Sequence, residues 1–150
     1  MTREEFIAKA KSAATKTSAE SGFPVGITVA QAALESNFGA SQLSRTAKNY
    51  FGIKAHGNHA AMEFRTNEFD GKREQQVVAR FAVYDSMEES FRCRDRLIAN
   101  SPIYISARAA KGDPVQFVRE LAKHWATDPK YSEKVLRIYE DNDFDRFDAR

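Results

Sequence analysis

Glu35 is the side chain whose surroundings most suggest acid–base chemistry. It lies within Ala32–Gly39, in the last turn of a predicted apolar helix. A carboxylate there meets the negative end of the helix dipole, and apolar neighbours also disfavour its charged form. Both effects favour a carboxyl group that stays protonated near neutral pH, as a general acid must. The same spacing also fits a solvated glutamate on an exposed helix face.

Glu68 is the second carboxylate that could take part in such chemistry. It shares a predicted strand face with Met62 and Phe64 and lies beside the turn signal Asp70-Gly71, so an apolar face ends in a carboxylate at a hairpin tip. Glycoside hydrolysis uses two carboxyl groups that flank one bond. The two glutamates could form that pair, although Glu68 alone also fits an ordinary charged edge residue. Glu63 is the alternative if Glu68 points to solvent.

Other groups with metal-binding or nucleophilic residue types do not form convincing sites. His56 and His59 are three residues apart, without further ligands at a suitable spacing. Three aspartates between 141 and 145 resemble the start of a calcium loop, but Arg146 stands where that loop needs glycine. Cys93 is the only cysteine, which excludes an intrachain disulfide, and no His–Asn pattern accompanies it. We expect no metal and no organic cofactor.

The elements that must position the two glutamates are a helix and a hairpin. A helix from about Val25 to Phe38, with Gly39 just after its end, carries Glu35. Residues 60–84 change to a period-two alternation around Asp70-Gly71, which predicts one β-hairpin.

Further helices are expected on both sides of this pair. The segments Thr2–Glu5 and Ser86–Glu89 have the capping-box pattern, and Asp113-Pro114 and Asp128-Pro129 give two more start signals. The three arginines of Arg92–Arg96 are expected on a solvated face of the helix that follows Ser86. Six or seven helices with one hairpin predict an α+β fold of lysozyme-like size, mainly helical.

Composition limits the remaining possibilities. The chain has 150 residues, of which 42% are hydrophobic, so we expect one domain over residues 1–150 with a packed core. With 23 basic and 21 acidic residues, the formal net charge of +2 argues against a nucleic-acid binder. The longest uncharged stretch, Ser21–Leu34, is too short and too polar to span a bilayer. No signal peptide is visible at the N-terminus, and we expect a monomer.

Five blocks of the sequence carry a resemblance to a known family. They are Ala32–Gly39 (AALESNFG), Asn49–Ala55 (NYFGIKA), Thr66–Glu68 (TNE), Phe81–Ser90 (FAVYDSMEES) and Ala126–Tyr131 (ATDPKY). In this order they resemble the signature segments of glycoside hydrolase family 73. These are bacterial peptidoglycan N-acetylglucosaminidases and include the hydrolase domain of the flagellar rod-cap protein. The resemblance covers roughly residues 5–140.

The resemblance implies roles for particular residues. It aligns Glu35 with the general acid of the family, Glu68 with the second carboxylate in a hairpin lobe beside the cleft, and Tyr131 with a tyrosine that supports catalysis. Six positions are implied at the substrate, and these are Phe38, Asn49, Tyr50, Phe51, His124 and Trp125.

Sugars pack their CH faces on aromatic rings, although each aromatic side chain here also fits a role in the core. We expect Tyr50, Trp125 and Tyr131 at the cleft and Phe51 to be partly structural. The chain departs from the family pattern at Phe38, where tryptophan is common, and at Ala82, where arginine is common. His124-Trp125 replaces the usual Gly-Tyr, which could alter the sugar-binding wall.

The function implied is hydrolysis of the β-1,4 bond after N-acetylglucosamine in peptidoglycan glycan strands, in the periplasm or cell wall. Glu35 would protonate the leaving oxygen. Glu68 would activate water or orient the 2-acetamido group, and both routes stay open. A lytic transglycosylase or muramidase of similar fold is one alternative, and a non-catalytic wall-binding module is another.

Overall fold

The computed structural model describes residues 1–148, which form a mainly helical body and one hairpin. The expected α+β, lysozyme-like class is confirmed. The helices are α1 (Arg3–Ser21), α2 (Val25–Ser36), α3 (Gln42–Ala47), α4 (Met87–Asn100), α5 (Ile105–Ala109), α6 (Pro114–Trp125) and α7 (Tyr131–Asp141). The strands are β1 (Ala61–Phe69) and β2 (Glu74–Ala82), and two short 3₁₀ helices span Pro102–Tyr104 and Phe144–Phe147. Over residues 1–148, no helix is both long and apolar enough to cross a membrane.

Helix α2 is the centre of the body. Most of its residues are buried, because α1, α6, α7 and the C-terminal 3₁₀ helix all pack against it. Its predicted end at Phe38 is wrong by two residues, since the helix ends at Ser36. Asn37, Phe38 and Gly39 all have positive φ angles, and the Ser36 hydroxyl accepts a hydrogen bond from the amide of Gly39. Glu35 therefore lies in the last turn, as predicted.

The first helix, α1, shows how closely local sequence sets an element's limits. Thr2 and Glu5 form the predicted capping box, and Gly22 ends the helix in the left-handed conformation. The buried face of α1 packs against α2 and α4 and is formed by Phe6, Ala10, Ala13, Ala14 and Thr17.

The hairpin is antiparallel and projects from the body. Phe69 pairs with Glu74, so the turn is a four-residue loop in which Asp70 accepts hydrogen bonds from two backbone amides. Phe81 and Ala82 are buried at the base, whereas the residues at the tip are exposed. The hairpin is therefore anchored to the body at one end.

The C-terminal half contains the largest differences from the predicted helices. The segment Pro102–Ala109 was not predicted to be helical, yet it forms a 3₁₀ helix followed by α5. Helix α7 begins at Tyr131 and not at Asp128-Pro129, because the side chain and backbone of Asp128 accept hydrogen bonds from the amides of Lys130 and Tyr131 and close a turn. The predicted start of α6 after Asp113 is confirmed.

Candidate active site

A cavity of about 510 Å³ lies between the helical body and the hairpin. Glu35 lines it from the body and Glu68 from the hairpin, so the structure brings the two predicted carboxylates to one space. The rest of the lining comes from α3 and the segment after it, from the two strands, and from the end of α6 through the start of α7: Leu43, Phe51, Gly52, Lys54, Thr66, Asn67, Phe69, Glu74, Phe81, Trp125, Ala126, Thr127, Asp128 and Tyr131.

Glu35 has the protonation behaviour that a general acid needs. Burial raises the pKa of its carboxyl group from 4.5 to about 7, and a hydrogen bond from the Tyr131 hydroxyl offsets part of that rise. Burial disfavours the carboxylate because it removes solvent from the charge, while a donor stabilises it. Near neutral pH the group is therefore divided between its protonated and ionised forms.

Gly52 lets the backbone approach the carboxyl group of Glu35. Its φ angle is +67°, a left-handed conformation that side chains other than glycine rarely adopt. A Cβ atom at this position would lie 3.2 Å from Oε2 of Glu35. The backbone after Phe51 therefore comes this close to the carboxyl group of Glu35 because position 52 is a glycine.

Glu68 is held by a lysine on the same side of the cavity. Its carboxylate pairs with the ammonium group of Lys54, and both side chains remain partly exposed. Lys54 itself forms an isolated β-bridge to Phe81 at the base of the hairpin. Lys54 was not predicted as a site residue, although it lies within the family-like block Asn49–Ala55.

Tyr131 is the first residue of α7 and is almost fully buried. Its hydroxyl oxygen accepts a hydrogen bond from Nε2 of Gln31 at 3.1 Å. The hydroxyl lies next to the carboxyl group of Glu35, which lines the same cavity and whose pKa it lowers. Burial and the neighbouring carboxyl group of Glu35 hold the pKa of Tyr131 well above its usual value. The phenol is therefore a fixed, neutral donor next to Glu35.

The six residues predicted at the substrate fall into two groups. Phe51 and Trp125 line the cavity, Phe51 from the core and Trp125 from the end of α6. The other four do not line it, for reasons that the local contacts make clear. They are Phe38, Asn49, Tyr50 and His124.

Asn49 and Tyr50 have structural partners in the body. Asn49 is buried, and its amide donates hydrogen bonds to the carbonyls of Ile53 and Ala82, tying the connecting loop to β2. Tyr50 packs in the core and lines a separate cavity of about 400 Å³ beside α1.

Phe38 and His124 also pack against other rings. Phe38 lies edge-on to the ring of Phe6, under the guanidinium of Arg3. His124 is exposed on α6, and its ring lies edge-on to Tyr104. Their predicted place at the substrate therefore finds no support in the lining of this cavity.

Arg94 is the clearest departure from the sequence-based expectation. It was predicted on a solvated helix face, yet its side chain is completely buried. Its guanidinium donates to Oε1 of Gln31 at 3.0 Å, to the Thr28 hydroxyl at 2.9 Å and to the Asp95 carboxylate at 2.8 Å. The one signal in the sequence is its spacing, since Arg94 lies three residues after Phe91 and four before Ile98, on the buried face of α4. Its acceptors on α2 lie more than sixty residues away and could not be foreseen.

Comparison with known proteins places this architecture in a described family. The model of the glucosaminidase family, described as mannosyl-glycoprotein endo-beta-N-acetylglucosaminidase, matches residues 11–144.

Two curated relatives illustrate the similarity in sequence. The peptidoglycan hydrolase FlgJ of Pseudomonas aeruginosa is 32% identical over 142 residues, which cover 90% of this chain and 36% of FlgJ. A probable N-acetylmuramidase of Lactococcus lactis is 32% identical over 153 residues, covering 97% of this chain and 35% of that protein. The chain thus spans little more than a third of the length of these relatives.

A solved structure illustrates the similarity in fold. It is a peptidoglycan hydrolase mutant from Sphingomonas sp. A1, which matches with a TM-score of 0.84 at 32% identity, covering 95% of this chain and 96% of that one.

Proposed function

This chain belongs to the glucosaminidase family, glycoside hydrolase family 73, and we propose that it hydrolyses the β-1,4 bond after N-acetylglucosamine in peptidoglycan glycan strands. One observation carries the proposal. A glutamate with a pKa of about 7 lines the same cavity as a second carboxylate that belongs to a different element. That arrangement supplies a proton donor and a second acidic group to one bound substrate.

In this proposal Glu35 is the general acid. Its protonated carboxyl group donates a proton to the glycosidic oxygen as the bond to the leaving sugar breaks. The carboxylate that results accepts the hydrogen bond of the Tyr131 hydroxyl, which stabilises the charge formed at that moment.

Glu68 completes the reaction by one of two routes. As a carboxylate paired with Lys54 it accepts a proton from the attacking water, or it orients the 2-acetamido group of the sugar for internal attack. The ammonium group of Lys54 fixes the position of this carboxylate at the cavity.

Aromatic side chains provide the sugar-binding surface. Phe51, Phe69, Phe81 and Trp125 line the cavity, and a sugar ring packs the apolar faces of its CH groups on such rings. We propose that the protein acts as a monomer on glycan strands in the periplasm or cell wall and uses no cofactor.

A muramidase is the second candidate, and one comparison favours it. The Lactococcus lactis relative carries the name of a probable N-acetylmuramidase, and its enzyme class cleaves the alternate bond of the same polymer. The two activities need the same acid and differ in which sugar occupies the site before the bond.

Digestion of purified sacculi tests the proposal. Mass spectrometry of the products should show reducing N-acetylglucosamine ends, whereas reducing N-acetylmuramic acid ends identify a muramidase and anhydro-muramic ends a lytic transglycosylase. The variant Glu35→Gln should lose about 10²-fold or more in kcat, the usual contribution of general acid catalysis. A wild-type protein that binds sacculi without digesting them would be a wall-binding module, and an active Glu35→Gln would remove the assignment of the acid.

A further inference from the structure

A buried chain of polar side chains leads from α4 to the acid at the cavity. Nε of Arg94 donates to Oε1 of Gln31 at 3.0 Å, and Nε2 of Gln31 donates to the Tyr131 hydroxyl oxygen at 3.1 Å. The Tyr131 hydroxyl in turn lies next to the carboxyl group of Glu35, on the lining of the same cavity, and lowers the pKa of that group. Arg94, Gln31 and Tyr131 are all buried, so solvent does not compete for these groups.

Arg94 is itself fixed from several sides. Its Nη1 donates to the Thr28 hydroxyl at 2.9 Å and to the Asp95 carboxylate at 2.8 Å, and Asp95 accepts a second hydrogen bond from Ser21 at 2.7 Å. The guanidinium carbon lies 5.5 Å from the ring centroid of Phe51. The arginine is thus a rigid starting point for the chain.

The chemistry of the first member sets the direction of every hydrogen bond after it. An arginine side chain has donors and no acceptor, so the amide of Gln31 must turn its oxygen toward Arg94 and its NH₂ group toward Tyr131. The Tyr131 oxygen then accepts from Gln31, and its single proton is left for Glu35.

We infer that Arg94 and Gln31 are positioning residues that hold the Tyr131 hydroxyl as a permanent donor to Glu35. The inference rests on the proposed function, because a donor aimed at Glu35 matters most after that group has given its proton to the leaving sugar. A donor already in place stabilises the new carboxylate without reorganisation during the reaction.

The variant Gln31→Glu reverses the hydrogen bond between position 31 and Tyr131 with little change in side-chain size. The introduced carboxylate still accepts from Arg94, but it has no donor for Tyr131, whose hydroxyl then donates to position 31 and no longer to Glu35. The pKa of Glu35 should rise, by about one pH unit or more, because its carboxylate loses a donor and gains a negative neighbour. The other charged groups that line the cavity stay unchanged in this variant, and they are Lys54, Glu68, Glu74 and Asp128.

Two readouts follow the variant. Carbon-13 NMR of labelled glutamate measures the titration of Glu35 directly and needs no activity. The second readout is the pH profile of kcat. Its fall at high pH should move to higher pH, and its maximum should be about tenfold lower than in the parent. KM should change little, because Gln31 does not line the cavity.

A double-mutant cycle separates direction from added charge. Tyr131→Phe should lower kcat about tenfold in the parent and less than about twofold in Gln31→Glu, where the hydroxyl already points away from Glu35. Thr28→Val is the matched control. It removes another hydrogen-bond partner of the Arg94 guanidinium, but one that does not lie between Arg94 and Tyr131. It should lower the melting temperature and leave the titration of Glu35 unmoved.

The outcomes distinguish this inference from the proposed function. If Gln31→Glu does not fold, the neutral Gln31→Met removes the same amide and should shift the Glu35 titration in the same direction by less. An unmoved titration, or an equal effect of Tyr131→Phe in both backgrounds, overturns the positioning role. A parent protein that titrates as described but leaves sacculi intact overturns the proposed function and leaves the NMR result to decide the inference.

Discussion

The burial that gives Glu35 its raised pKa also lowers the stability of the folded protein at high pH. Its pKa rises from 4.5 to about 7 because the fold removes solvent from the carboxylate. A group that binds its proton more tightly when folded contributes stability that is fully present below pH 4.5 and is lost as the pH rises through about 7. Above that pH the folded state must hold a poorly solvated charge.

We predict that Glu35→Gln is more stable than the parent at pH 8 and equally stable at pH 4. The amide is neutral at both pH values, so it avoids the buried charge only where the parent is ionised. The gain should be roughly 3 kcal/mol, since each tenfold change in proton affinity corresponds to about 1.4 kcal/mol. Urea unfolding at the two pH values measures it. Glu63→Gln, at an exposed position, is the control, and an equal gain at both pH values would contradict the ionisation argument.

At the scale of elements, the acid depends on the helical body and the second carboxylate on the hairpin. The capping box of α1, the N-cap at Ser86, the hairpin and the place of Glu35 in the last turn were predicted from the sequence, because each depends on residues a few positions apart. The end of α2 and the start of α7 were not, since a serine hydroxyl and an aspartate side chain bonded to the backbone instead. Side-chain groups here compete with the helix for backbone amides, and the residue types alone do not show which hydrogen bond forms.

We predict that Glu68→Gln lowers kcat at least tenfold with an unchanged melting temperature. The pair that it forms with Lys54 is partly exposed, and such pairs contribute about 0–1 kcal/mol to stability. Steady-state digestion of sacculi and thermal unfolding test the two halves of the prediction. Glu63→Gln, on the opposite face of the same strand, should retain full activity. Normal turnover by Glu68→Gln would assign the second role to another group.

The loop at Gly52 allows contact and backbone strain to be separated. We predict that Gly52→Ala loses stability and also loses kcat, because its Cβ would lie 3.2 Å from Oε2 of Glu35 in addition to the left-handed φ of +67°. Gly57→Ala is the matched control, with φ +55° and no atom within 4 Å of the added Cβ. It should lose about 1–2 kcal/mol of stability and keep its activity. Equal losses of activity in both variants would mean that backbone strain alone causes the loss, without the contact to Glu35.

At the scale of the whole molecule, the site joins residues that the chain separates widely. Glu35 and Tyr131 could be singled out from their sequence blocks, and the structure places them in contact. The role of Arg94 could not, because its spacing with Phe91 and Ile98 indicates a buried helix face but not the distant acceptors on α2 that make burial of a charge possible. Asn49 and Tyr50 do not line the cavity, and their blocks show why a motif is ambiguous: a block can be shared with a family to hold a loop as well as to touch a substrate.

The C-terminal segment holds together the two helices that carry Glu35 and Tyr131. Asp148 accepts a hydrogen bond from the amide of Gly26 at the start of α2 at 3.0 Å, and another from the Tyr139 hydroxyl on α7 at 2.9 Å. A Cβ atom on Gly26 would lie only 2.2 Å from the carbonyl oxygen of Phe144, so this approach requires glycine. The contact lies at the far ends of both helices from the acid.

We therefore predict that Asp148→Ala destabilises the protein by about 1–3 kcal/mol and leaves kcat within about twofold of the parent well below the melting temperature. Two hydrogen bonds to a charged group are lost, while the cavity lining stays intact. Urea unfolding and sacculus digestion at 25 °C measure the two effects, with the exposed Asp145→Ala as control. A fall in kcat as large as that of Tyr131→Phe would mean that the C-terminal contact sets the geometry of the acid, so that stability and activity could not be separated at this end of the molecule.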